Sequence, residues 1–260
     1  MKFKNDQEYF ADKTHISNSM IGDYLKSPAY YKAKHTDQTI EQTKTPAMIL
    51  GSALDCLLTE SEDKFNSTYS EQCLKRDNPE QFELNKTGQF EVLTPAAWKQ
   101  VHNMADLVKQ LPLFQEIKDK SDKQIILTGE FQGMKTKGKL DFLVIDGEIA
   151  TIIDLKSSAK IEPVPYHYHA LTYGYYRQMA MYSDLVRQNY KEVNNIICKH
   201  IVVSKDTDWS KCSVFTLDGN RIAAEILNIG ATLNNIKEGK FEEIFEEHEI
   251  GAMRDEYETL

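Results

Sequence analysis

The chain has 260 residues, 41% of them apolar, and 31 Lys and Arg against 40 Asp and Glu give it a net charge of −9. That length fits one large domain or a core with an added subdomain, and the negative balance excludes a protein that coats nucleic acid through its overall charge. No apolar run approaches the ~20 residues of a membrane span, no secretory signal opens the chain, and Cys56, Cys73, Cys198 and Cys212 are scattered without a C-x-x-C pair, so a cytoplasmic setting without zinc or an iron–sulfur cluster is the expectation.

In chain order, Ser17 or Ser19 caps a short helix through Met20–Leu25, and Pro28 opens its continuation through Ala29–Lys34. Residues 35–46 read as a polar loop, and Ala47 to Leu58 as an apolar helix that carries Asp55. Residues 60–93 are polar and show no clear period. Thr94-Pro95 starts a helix that runs to about Gln110. Three strands follow at 123–132, 135–146 and 149–156, the first two joined through Gly133-Met134 and the last two through Gly147-Glu148. Pro163 and Pro165 end the loop after Lys156, and a long helix is expected from His169 to Gln188. Strands at Ile196–Val203 and Cys212–Leu217 precede a closing helix from Asp218 to Lys237, with Asp218 as its cap, and an acidic tail from Glu242 to Glu258 is expected to be partly disordered. A hairpin-containing sheet followed by a crossover helix and further strands is an α/β architecture.

The chemistry-bearing residues cluster at the ends of the three central strands. Asp141 lies in the second strand and Asp154 and Lys156 in the third, where their spacing of two puts them on one face. Two carboxylates can hold Mg²⁺ with hard oxygen donors, and a lysine beside them can orient a nucleophile or stabilise charge on a phosphate. The triplet alone is a weak signal. Asp55 sits on an apolar helix, where a metal, a basic partner or exposure at the helix edge would each account for its charge. Glu130 lies in the first strand, and Gln178 and Tyr182, four apart, share a helix face. Lys135, Lys137 and Lys139 alternate along one strand and form either a basic strip for phosphates or a guarded sheet edge. His167 and His169 lack a matching second cluster for a transition-metal site.

The segments His15–Ser19, Ser27–Tyr31, Gly51–Asp55, Gly129–Phe131, Gly138–Asp141, Ile153–Lys156 and Gln178–Tyr182 occur in an order and spacing that resembles the PD-(D/E)XK nuclease superfamily, and within it the RecE-like exonucleases (exodeoxyribonuclease VIII) of phages and prophages. The resemblance implies a restriction-endonuclease-like core, a mixed central sheet flanked by helices, with an N-terminal helical region. It implies metal binding by Asp141 and Asp154, a catalytic role for Lys156 and support from Glu130. Gln178 and Tyr182 match a Q-x-x-x-Y helix that lines the site and contacts DNA, and Ser27 falls in a segment placed near the DNA end. Asp55 stands where relatives often carry a histidine ligand, which is a departure, although a carboxylate is a harder donor.

The expectation is therefore an Mg²⁺-dependent (or Mn²⁺-dependent) exonuclease that degrades linear double-stranded DNA from 5′ to 3′. Residues 1–115 would form the N-terminal region contributing Asp55, residues 116–240 the nuclease core and residues 241–260 the tail. Catalysis would rest on Lys156, Asp154, Asp141 and Glu130, the metal on Asp141, Asp154 and Asp55, and DNA contact on Gln178, Tyr182, Lys137 and Ser27. By family resemblance the partners would be DNA ends, a single-strand annealing protein and further copies in a ring, with no membrane. The alternatives are an endonuclease of the same superfamily and a DNA-binding module without chemistry.

Overall fold

A computed structural model describes residues 3, 5–40, 43–206 and 211–242. The acidic tail beyond residue 242 lies outside the described residues. The N-terminal part comprises α1 (Asp6–Ala11), α2 (Asn18–Lys26), α3 (Pro28–Tyr31), a π-helical turn at Lys32–Thr36, α4 (Pro46–Thr59) and α5 (Glu62–Thr68). There follow β1 (Tyr69–Glu71), α6 (Pro79–Lys86), β2 (Glu91–Leu93), α7 (Pro95–Lys109) and α8 (Pro112–Ile117). The core continues with β3 (Asp122–Phe131), β4 (Met134–Asp146), β5 (Ile149–Ser158), α9 (Pro163–Thr172), α10 (Tyr175–Asn189), β6 (Asn195–Ser204), β7 (Cys212–Thr216) and α11 (Gly219–Lys237).

Local chemistry sets most of these boundaries. Thr45 and Thr94 accept from Met48 N and Ala97 N at the starts of α4 and α7, with proline in the first turn of each. Asp218 caps α11 through Asn220 N. Gln132 and Gly133, both at positive φ, form the tight turn between β3 and β4. The region 60–93 is ordered, and its β1 and β2 pair in parallel as a separate two-stranded sheet.

The main sheet has the order β3-β4-β5-β6-β7. It is antiparallel except where β5 and β6 run parallel, as the crossover through α9 and α10 requires. This is the mixed sheet flanked by helices that the sequence predicts. Alternation along β5 splits the core in two. Ala150 and Ile152 join a cluster with Met20, Ile21, Met179, Leu185 and Leu233 from α2, α10 and α11. Ile153 joins a cluster with Ala53, Leu54, Val101 and Phe114 from α4, α7 and α8. Both faces thus need helices from the first 117 residues, and the N-terminal region is built into the core. Among the described residues, no helix is long and apolar enough to cross a membrane.

One expected element differs. The helix predicted from His169 to Gln188 is two helices, because Gly174 sits in the left-handed region (φ 66°) and ends the first. Pro163 and Pro165, expected to end the loop after Lys156, lie in the first turn of α9, where the missing N–H costs nothing.

Candidate active site

The site forms where β4 and β5 part. Their ladder runs from Asp146↔Ile149 to Phe142↔Ile153 and stops there, whereas β5 stays paired with β6 as far as Ser158↔Ser204. Asp141, the next residue of β4, turns its carboxylate onto β5 instead, and its Oδ2 accepts from Leu155 N at 2.7 Å. On the other side of Asp141, β3 skips a pair at Gln124, which adopts φ 50°. Positive φ is uncommon for a non-glycine residue. Here it accompanies a side chain that reaches α4, where Gln124 Nε2 donates to both oxygens of Asp55 at 3.0 Å.

Asp154 is buried, at 2% exposure. Its Oδ1 accepts from Gln178 Nε2 at 3.0 Å, and its Oδ2 is paired with the Lys156 ammonium. The same Gln178 amide donates to Tyr182 Oη at 2.9 Å, and Tyr182 donates to Lys139 O at 2.8 Å. The helix can come this close because of Gly138. A Cβ there would meet Tyr182 Cε1 at 2.8 Å and Leu185 Cδ1 at 2.9 Å. Lys156 Nζ lies 4.8 Å from the centre of the Tyr175 ring.

Charge is crowded at this fork. Burial, and then Asp55 and Asp154, push the Asp141 carboxyl well above its usual range. Asp55 is pushed up to about 6, chiefly by burial; Lys139 pulls it down and Asp154 raises it. Burial works against the charge of Lys156, but Asp154 and Asp141 outweigh it and keep the lysine protonated. Three carboxylates that raise one another's proton affinity around a single lysine suit a hard divalent cation in donor type and in charge. Among the described residues, however, no three acidic, histidine or cysteine side chains close into a ready-made cage.

Asp55, Asp141, Asp154, Lys156, Gln178 and Tyr182 thus come together as the sequence predicts, whereas three other expected residues do not join them. Lys137 is buried, and its ammonium donates to Tyr9 O at 2.6 Å, Asp12 O at 2.7 Å and Asp12 Oδ2 at 3.2 Å. It anchors the N-terminal segment, so Lys137 fits neither reading of the three lysines, a phosphate strip or a guarded sheet edge. Glu130 is exposed and pairs with Lys135, six residues along β4 from Asp141, which is roughly 20 Å at strand rise. Its backbone is held by Gln188 (N–H to Oε1 2.9 Å, O from Nε2 2.9 Å). The Ser27 hydroxyl caps α3 by accepting from Tyr30 N at 3.0 Å. Tyr182 is itself buried, with its hydroxyl engaged inside the protein, so it positions Gln178 and Asp154 and does not present a surface to DNA.

Two site residues were not singled out from the sequence, and a third, Lys139, was read only as one of three strand lysines. Gln124 gave no signal, since its role depends on a local backbone distortion. Tyr175 falls at the unforeseen helix break. Lys139 immediately follows Gly138, and its ammonium pairs with Asp6 Oδ2 at 2.7 Å while its charge acts on Asp55. A cavity of about 450 Å³ opens beside Asp55 and Lys156, walled by Met48, Tyr175 and Lys205. A larger groove of about 810 Å³ follows the open edge of β3 and reaches the centre at Gln124.

Among solved structures, one from Eubacterium rectale described as a "putative exonuclease" superposes with a TM-score of 0.68 over 98% of this chain and 99% of that one; at 21% identity the likeness establishes the fold alone. Another, SSO0001, covers 79% of this chain and 91% of its own at 16% identity, and its TM-score of 0.31 carries no argument. No curated protein matches the chain. The sequence pattern of a PDDEXK-like domain of unknown function (DUF3799) spans residues 17–247, nearly the whole chain and every residue of the fork described above, and the chain belongs to that family.

Proposed function

We propose that this protein is a metal-dependent deoxyribonuclease, a processive 5′→3′ exonuclease that degrades linear double-stranded DNA and leaves a 3′ single strand for recombination. The observation that supports nuclease chemistry is the convergence of Asp55, Asp141 and Asp154 with Lys156 where β4 and β5 part. Asp141 and Asp154, with Asp55 as a further oxygen donor, would hold Mg²⁺ or Mn²⁺. When bound, the cation neutralises charge on the phosphate and makes water more acidic. Lys156, kept protonated by its two acids, donates to the phosphate oxygen that gains charge during in-line attack or orients the attacking water. Gln178 fixes Asp154 and Gln124 fixes Asp55, so neither carboxylate has to be ordered by substrate.

Polarity, processivity and the recombination role rest on the resemblance to RecE-like exonucleases. So do a single-strand annealing partner and a homo-oligomeric ring. The description of the Eubacterium rectale protein supports end-dependent action.

The test is digestion of linear duplex DNA, with and without a 5′-phosphate, and of closed circular DNA, in Mg²⁺ and in EDTA. The expected result is loss of linear DNA alone, in Mg²⁺ only, and faster with the 5′-phosphate. Cutting of the circle would replace exonuclease by endonuclease, and no cleavage in Mg²⁺ or Mn²⁺ would leave a DNA-binding module. Asp154→Ala should abolish cleavage with circular dichroism unchanged; wild-type rates in that variant would refute the assignment.

A further inference from the structure

A ladder of aromatic rings leads outward from Lys156. The Tyr175 ring lies 4.8 Å below the Lys156 ammonium and forms part of the cavity wall. Tyr173 is stacked beside it, with centroids 6.0 Å apart and planes at 29°. His169 closes against Tyr173 at 4.4 Å and against Tyr175 at 5.8 Å. The inner rings are fixed, because Tyr175 also packs edge-on against the buried His200 at 5.6 Å. The outer ring is open: Tyr173 is 60% exposed. A lone exposed tyrosine means little, but this one continues an array that starts at the catalytic lysine.

Lysines are placed at the same corner, in a chain of net charge −9. Burial, and then the charges of Lys205 and Lys160, hold His169 below its usual pKa, which puts both lysines within electrostatic reach of the ring. Lys205 also lines the cavity that holds Asp55 and Lys156, and its place is fixed by Gln100, whose amide donates to Lys205 O at 2.6 Å. Of the acids around this corner, Asp154 is paired with Lys156, and Glu162 with Lys211 at 3.1 Å.

Aromatic faces for bases beside cations for the backbone are the combination that binds single strands without sequence preference. Duplex DNA hides base faces inside its stack, so an exposed ring one step from the reacting centre suits an unpaired base only. We propose that Tyr173, with Tyr175 and His169, is a stacking subsite for an unpaired nucleobase next to the scissile phosphate, and that Lys205 and Lys160 hold the adjoining backbone. The inference deepens the nuclease reading and rests on it: the strand that enters the cavity is single, frayed from the end of a duplex.

The experiment uses the full chain in EDTA and a short DNA single strand carrying 2-aminopurine at its 5′ end, whose fluorescence falls when the base stacks. Wild type should quench the probe on binding. Tyr173→Ala should bind about tenfold more weakly and lose the quenching, whereas Tyr173→Phe, which keeps the ring, should behave as wild type. An abasic site in place of the probe base should cost wild type the same tenfold, which tests the subsite even if a variant folds badly. Equal binding and quenching by wild type and Tyr173→Ala, or indifference to the abasic site, would overturn the subsite. Digestion of linear duplex in Mg²⁺ is run alongside. Cleavage that does not depend on Tyr173 would retain the nuclease and sink the subsite, and ring-dependent quenching without any cleavage would retain the subsite and sink the nuclease.

Discussion

Replacing Asp55 by asparagine should make the metal-free protein more stable, and the size of the effect follows from its surroundings. Asp55 is partly buried, near Asp154, and its pKa is raised from 3.8 to about 6. One pKa unit corresponds to ~1.4 kcal/mol, so keeping this group ionised in the fold at neutral pH costs roughly 3 kcal/mol. The sign is that of a raised acid: the folded state binds the proton more tightly than the unfolded chain, so stability is full below pH 3.8 and is lost as pH rises through 6. An amide removes the charge. It keeps one acceptor for Gln124 Nε2 but turns an NH₂ group towards it, a loss of about 1 kcal/mol. The net gain at pH 8 is about 2 kcal/mol, or roughly 4–8 °C in Tm for a domain of this size. Urea unfolding in EDTA at pH 8 and pH 4 measures it. The variant should lead at pH 8, and the lead should be gone at pH 4. Mg²⁺ should stabilise wild type through binding to the folded state and Asp55→Asn much less. A variant no more stable than wild type at pH 8, or a difference that does not change with pH, would refute the argument that charge crowding is built into this fork.

Lys137→Met should lower stability by about 3 kcal/mol, because it leaves a partly buried carboxylate and two carbonyls without their donor; urea unfolding measures this, and proteolysis should cut first among residues 5–16. The gap between that variant and wild type should narrow in acid. Burial raises the Asp12 carboxyl, but hydrogen bonds from Thr14, His15 N and Lys137 outweigh it and hold it well below its usual range, so its stabilisation is full above the unfolded value near 4 and is lost as pH falls below that; an unchanged gap at pH 3 would count against the pair. Gly138→Ala should cost about 1–3 kcal/mol, since Tyr182 and Leu185 have to give way. It should also slow cleavage by moving Gln178, and an alanine variant with wild-type rates would show that the close helix approach does not position Asp154.

Much of this fold can be read from local pattern. The three central strands, the crossover to β6 and the caps of α7 and α11 follow from alternation, turn residues and Thr-Pro or Asp starts, all of which act within a few residues. The acids and lysine at the fork follow from strand ends and from the order of the motifs. What escaped the sequence depends on contacts far apart in the chain. Lys137 alternates with Lys135 and Lys139 as an exposed strip would, and only the N-terminal segment crossing β4 makes it interior. Glu130 looked equivalent to Asp141 because both are strand acids, but the register puts it at the far end of the hairpin. The break at Gly174 was hidden because the aromatic residues on either side keep a helical spacing, while one glycine decides the geometry. Gln124 acts only because β3 deforms opposite Asp141.

The crossing of β4 by the N-terminal segment also bears on how the chain is made. Ile16 bridges to Thr136, and Lys137 reaches back 128 residues to Tyr9. At the usual pace of synthesis, about 5–20 residues per second, the first segment waits roughly 6–25 s for its partner strand to leave the ribosome. Tyr24 waits longer, since its hydroxyl is received by Lys240 O, 216 residues on. Through that interval Ile16, Met20 and Ile21, all buried in the finished protein, have no native surface to cover them. The segment from Ile16 to Tyr24 thus has to stay soluble without its native partners until β4 and α11 emerge, whereas the site, whose residues run from Asp55 to Tyr182, can close once α10 has been made.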